Sequence, residues 1–198
     1  RGPRHTRILG SDNPDSDNLA VSEIGLGCMG MSEFYGSHDD DQSVAVIHRA
    51  LDLGCAFLDT ADMYGPFVNE QLVGRAIAGR RDEVVLVSKV MPQNASRAGT
   101  IAACERSLRR LKTDRLDCYL LHWRGRHPLA ETFAAFEELK RAGKIRAWGV
   151  SNFDAGDLAE AAAVAGAGAI ACNQVLYHLE ERGIEHAVIP WCEKNGVA

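Results

Sequence analysis

The sequence has no apolar run approaching the ~18 residues that a membrane-spanning helix needs. It has no C-x-x-C pair, no H-E-x-x-H or comparable metal-ligand spacing, and no stripe of clustered lysine and arginine. The first residues, RGPRHTRILGSDNPDSDN, are polar and lack the apolar centre of a secretory signal. These absences argue against a membrane, nucleic acid and a bound metal as partners, and the protein is expected to be soluble and cytoplasmic. His5, His38, His48, His127, His178 and His186 read as surface or supporting residues. Six cysteines (Cys28, Cys55, Cys104, Cys118, Cys172 and Cys192) are scattered, several within apolar runs such as LDCYLL, and are expected to be buried reduced thiols.

The 198 residues are 46% apolar and carry a net charge of −5, which suits one domain with a substantial core. Residues 1–20 read as a polar leader and residues 21–198 as an incomplete domain. The chain does not open on methionine and stops at EKNGVA, where Asn195-Gly196 closes a helix and a strand starts. It is therefore expected to be a piece of a longer chain. The leader carries the acidic stretch SDNPDSDN, which leaves open whether an N-terminal hairpin forms there.

Beyond the leader, short apolar runs alternate with segments of helical period, the signature of β/α units on a parallel sheet. Strands are predicted at 23–27, 56–59, 84–90, 116–122, 145–151 and 169–174. The helices between them show one apolar face each: Val44, Ile47 and Leu51; Leu72, Ala76 and Ile77; Ile101, Cys104, Leu108 and Leu111; Leu129, Phe133 and Phe136. The fifth starts at Asp154, with Leu158, Ala161 and Val164 inward. The sixth, around 184–194, contains Pro190, which either kinks it or marks where its regular part starts. No Asn-Gly hairpin signal separates successive strands after the first.

Nearly every predicted strand ends in a polar or reactive residue: Asp59, Lys89, His122, Ser151-Asn152 and Gln174. Their spacings of 30, 33, 29 and 23 residues are close to one β/α unit each. Any one of them is explained as a cap, a snorkelling strand end or a loop hydrogen-bonder. Five in register argue instead for a barrel, which collects its chemistry at the carboxyl ends of many strands. A doubly wound sheet would use one switch point. The stretch GLGCMG, at 25–30, has the G-x-G-x-x-G spacing of dinucleotide folds, but MSEFYGSHDD intervenes before the first helix. A phosphate-binding turn must pass directly from strand to helix, so these glycines are read as a tight turn beside a ligand.

With GLGCMGMS, GCAFLDTADMYG, LVSK, LDCYLLHW, GKIRAWGVSNF, NQVLYH and IPWCEKNGV in this order, the chain resembles the aldo-keto reductases from about Val21 to its end. The resemblance implies a parallel (β/α)8 TIM barrel of which about the first six units are present, an NADP cofactor in the form of NADPH, and a small-molecule aldehyde or ketone as substrate. It implies Tyr64 as the proton donor with Asp59, Lys89 and His122 as partners. Ser151, Asn152 and Gln174 would bind the nicotinamide carboxamide, Asp59 would also bind the cofactor, Met29, Gly30 and Met31 would line it, and Trp123 would line the substrate pocket. The family's two further strands, whose loops hold the adenosine half of the cofactor, are not in this stretch.

This chemistry suits these residue types. Hydride addition to a carbonyl puts negative charge on oxygen, and the barrier falls when donors already point at that oxygen. Tyrosine is a poor acid at neutral pH, and a lysine ammonium a few ångströms away favours its phenolate. Asp59 would supply the counter-charge, and His122 would hydrogen-bond the substrate oxygen. Asp62 and Glu70 are read as structural loop and first-turn acids. Other readings stay open: a nicotinamide-binding regulatory subunit with little turnover, a metal-assisted hydrolase built on Asp59 and His122, and an inactive fragment with unpaired strand edges.

Overall fold

A computed structural model of the chain describes residues 5–10, 18–32, 39–166 and 168–198. Six strands form one sheet in chain order, each pair parallel: β3 (Gly25–Gly27), β4 (Phe57–Asp59), β5 (Val85–Val90), β6 (Leu116–Leu121), β7 (Ile145–Ser151) and β8 (Asn173–Gln174). The helices α1 (Asp40–Asp52), α2 (Val68–Ala76), α3 (Arg97–Leu111), α4 (Leu129–Arg141) and α5 (Ala155–Ala165) connect them, and α6 (Val188–Asn195) follows β8. Consecutive neighbours joined by helices make a curled half-barrel, the first six units of a (β/α)8 fold.

Two apolar layers follow from the two-residue period of the strands. Leu58, Leu86, Val90, Tyr119, Leu121, Trp148 and Val150 face the helices and are at most 2% exposed. They pack on Ile47, Val73, Leu108, Phe133, Phe136 and Leu158, each such side chain contributing roughly 1.5–3 kcal/mol by leaving water. Trp148 stacks on Phe133 at 4.6 Å and donates its indole N–H to Glu137 Oε1 at 2.7 Å. The opposite parity, Val87, Cys118, Leu120 and Ala147, lines the concave side.

An N-terminal hairpin does form, which the acidic stretch had left open. β1 (Thr6–Leu9) pairs antiparallel with β2 (Leu19–Ser22), Leu9 opposite Leu19. The reason is burial rather than turn chemistry: Leu9, Leu19 and Val21 close the concave core against Val87, Cys118 and Leu120. Residues 11–17, all of the acidic stretch but Asn18, lie outside the described residues, as do residues 33–38 of the segment preceding α1, with His38.

Other differences are local. The last strand is regular only at Asn173–Gln174, although Ala171 and Cys172 already bond to Trp148 and Val150. On its other side, Ala198 donates to Ala171 O and accepts from Asn173 N–H, so the strand expected after Gly196 begins to pair. Val164 is 45% exposed rather than inward. Steps of three residues drift about 60° each from a helical stripe, which leaves Val164 about 120° from Leu158; Ala165 packs on the core instead. The sixth helix is regular only from Val188, so Pro190 falls in its first turn, where its missing N–H is not needed. All six thiols are free, but only Cys28, Cys104 and Cys118 are buried.

Candidate active site

β4 and β5 bring the first two groups together. Lys89 lies on the concave parity of β5 and is fully buried. An ammonium held out of water costs several kcal/mol unless its protons are matched. Here Nζ bonds Asp59 Oδ1 at 2.8 Å, Asp59 Oδ2 at 3.0 Å and Thr60 O at 2.9 Å. It also donates to the Tyr64 hydroxyl at 3.3 Å and stands 5.1 Å from the centre of that ring. With the Lys89 ammonium against both carboxylate oxygens of Asp59, a divalent cation there would meet like-charge repulsion, which weighs against the hydrolase reading.

Tyr64 reaches Lys89 from the loop after β4. Its N–H donates to Ala61 O, and the chain then turns at Gly65, whose φ is +74°. A side chain at Gly65 would also stand 2.8 Å from Ser32 Cβ, so the turn needs glycine for both reasons. The tyrosine is 9% exposed, as is His122.

His122 follows β6 and extends the parallel ladder by donating its N–H to Val90 O. Its ring meets that of Tyr64 edge-on, 5.8 Å between centroids at 83°. Nδ1 is buried with no hydrogen-bond partner among the described residues. Burial, reinforced by the Lys89 charge, lowers its pKa from 6.5 to about 4, so the imidazole is neutral at physiological pH. Trp123 comes next, 38% exposed, with its ring 4.9 Å from that of His122. It borders a cleft of about 480 Å³ shared with Pro92, Gln93, Gly125, Arg126 and His127.

Ser151, Asn152 and Gln174 sit side by side at the ends of β7 and β8. Ser151 Oγ donates to Gln174 O at 2.8 Å, the Asn152 N–H donates to the same carbonyl at 2.9 Å, and Asn152 Nδ2 donates to His122 O at 3.0 Å. Asn152 holds φ at +58°, a strained value for a non-glycine residue, and such strain clusters at ligand sites. The side-chain amide of Gln174 makes no hydrogen bond among the described residues. Polar capacity is thus left open at the carboxyl end of β8. Met29, Gly30 and Met31 form a half-buried 3₁₀ turn directly after β3, on the far side of Asp59: the Cys28 N–H donates to Asp59 O at 2.9 Å.

Two supporting residues escaped the sequence reading. Thr60 and Asn69 are fully buried and bond each other, Thr60 Oγ1 donating to Asn69 Oδ1 at 2.6 Å. Their signal was a polar pair at Asn69-Glu70 where an apolar helix starts. Glu70, expected as a first-turn acid, is wholly buried and accepts from Ser88 Oγ and Arg110 Nε, each at 2.8 Å. Asp62 is buried too, with Oδ1 unpartnered among the described residues; burial and then the Glu70 charge raise its pKa to about 6.

The chain matches the Aldo/keto reductase family over residues 23–198. It is 47% identical over 176 residues to Methylglyoxal reductase YeaE of Escherichia coli, a match covering 87% of this chain and 62% of that protein. It is 38% identical over 191 residues to Aldo-keto reductase YhdN of Bacillus subtilis, covering 90% and 57%. Among solved structures, an aldo-keto reductase from Klebsiella pneumoniae in complex with NADPH superposes with a TM-score of 0.89 at 46% identity, over 98% of this chain and 66% of that one. The chain thus spans about three fifths of the length of the curated relatives it matches.

Proposed function

The chain belongs to the aldo/keto reductase family, and from that premise we propose that it carries the catalytic half of an NADPH-dependent enzyme that reduces an aldehyde or ketone to an alcohol. The observation that carries the reading is the buried Lys89 ammonium bonded at once to Asp59 and to the Tyr64 hydroxyl. When bound, NADPH supplies the hydride equivalent. Tyr64 gives its hydroxyl proton to the oxygen that becomes the alcohol. Lys89 steadies the charge left on the phenolic oxygen, and Asp59 keeps the ammonium oriented. His122, neutral at pH 7, is not the acid; its imidazole orients the substrate oxygen by a hydrogen bond. Ser151, Asn152 and Gln174 hold the carboxamide end of the cofactor, Met29 to Met31 its flank, and Trp123 the substrate. The likeness to a methylglyoxal reductase makes small aldehydes, methylglyoxal among them, the first substrates to assay.

The test is Tyr64→Phe in the full-length protein, following NADPH oxidation across an aldehyde panel. Loss of a positioned proton donor lowers turnover by roughly 10²–10⁴-fold and leaves NADPH binding near that of the parent. A variant as fast as the parent would refute the assignment. Cofactor binding without turnover by the parent would favour a regulatory subunit.

A further inference from the structure

We propose that Asn69 is a positioning residue that joins the two halves of the site, the Cys28–Ser32 turn on the cofactor side and the Thr60–Lys89–Tyr64 group on the proton side. The inference rests on the reading above. Asn69 opens α2 and is fully buried. Its Nδ2 donates both protons to the turn, to Cys28 O at 2.7 Å and to Ser32 Oγ at 2.9 Å. Its Oδ1 accepts from Thr60 Oγ1, and its backbone N–H donates to Tyr64 O at 3.2 Å. The carbonyl of that same Thr60 accepts from Lys89 Nζ.

One residue therefore touches three separate stretches: its side-chain amide holds the turn after β3 and the end of β4, and its backbone N–H holds the tyrosine loop. Buried polar groups of this kind are kept only when matched on every side, and no aliphatic side chain replaces both a donor pair and an acceptor. Gly65 lies so close to Ser32 that an added Cβ would stand 2.8 Å from Ser32 Cβ, so the tyrosine loop and the turn are closely apposed and a shift of one is felt by the other. Asn69 touches neither Lys89 Nζ nor the tyrosine hydroxyl; it acts through Thr60, through the loop backbone and through the turn.

The test uses the full-length protein and reads NADPH Kd by fluorescence titration and kcat at saturating NADPH. Asn69→Ala is expected to weaken NADPH by about tenfold and to lower kcat by about tenfold or more, since misplacement on the ångström scale is enough for such losses. Ser32→Ala, which removes one bond on the turn side, raises Kd severalfold more than it lowers kcat. Thr60→Val, on the proton side, does the reverse. In the Asn69→Ala background each adds little, because the bond it removes is already gone. Should Asn69→Ala fail to fold, the opposite splits of the other two variants carry the test. A merely structural role predicts a lower Tm with parental Kd and kcat in the folded fraction, and that result, or equal effects of Ser32→Ala and Thr60→Val on both constants, overturns the proposal. A parent protein that neither binds NADPH nor reduces any carbonyl overturns the functional reading and this inference with it, whereas an active parent with an unaltered Asn69→Ala variant overturns this inference alone.

Discussion

His122→Gln should make the protein's stability less sensitive to acid. In the folded state the imidazole titrates near 4, against 6.5 when free, because it is buried and faces the Lys89 ammonium. Between these values the unfolded chain holds a proton that the folded chain refuses, so stability rises with pH through this window and is lost as pH falls through it. Protonation of the unfolded state costs the native form about 3.4 kcal/mol in the limit of low pH, at 1.36 kcal/mol per pH unit, and about 2 kcal/mol at pH 5. Solvent reaching the open mouth of the sheet reduces this toward 1 kcal/mol. Glutamine keeps the size and hydrogen-bonding capacity of the side chain and removes the titration. Urea unfolding at pH 7 and pH 5 should therefore show the parent losing about 1–2 kcal/mol more than His122→Gln, every other titrating group being common to both. An imidazole resonance of His122 that moves between pH 6 and 7, or equal acid sensitivity of the two proteins, would refute the argument and with it the neutral imidazole in the mechanism.

Other consequences can be measured directly. A methyl group at Gly149 would run into the Cys172 carbonyl on the neighbouring strand, so Gly149→Ala should cost roughly 1–3 kcal/mol, read as a fall in the urea midpoint at unchanged slope; an unaffected midpoint would mean that β7 and β8 are less closely apposed. Arg110→Ala strands the wholly buried Glu70 carboxylate and should destabilise by about 3–5 kcal/mol, whereas Arg97→Ala, which breaks an exposed pair with Glu138, should change stability by less than about 1 kcal/mol. Comparable losses for the two arginine variants would contradict the assigned burial.

The capping of α5 shows local chemistry that sequence alone reveals. Asp154 accepts from the Asp157 N–H, and Asp157 Oδ2 accepts in return from the Asp154 N–H, a box legible from a spacing of three residues. The stripe Leu129, Phe133 and Phe136 was legible for the same reason, since a helix repeats its face every three to four residues whatever it packs on. The polar residues at the strand ends could be read because buried parallel strands are otherwise apolar, so that Asp59, Lys89 and His122 stand out. The hairpin could not be read from its connecting stretch, because its strands are matched by the concave core they cover and not by the residues that join them.

From the order of residues alone came the β/α alternation, the candidates at each strand end and the resemblance that connects them to Tyr64, because strand period, helix period and end chemistry are all local. Only the folded chain decided that Lys89 meets both Asp59 and Tyr64, that His122 is held neutral, and that Asn69 ties residues 28 and 32 to residue 60. Those outcomes depend on which strands lie side by side and on how far water is kept out, and neither is a property of any single stretch of sequence.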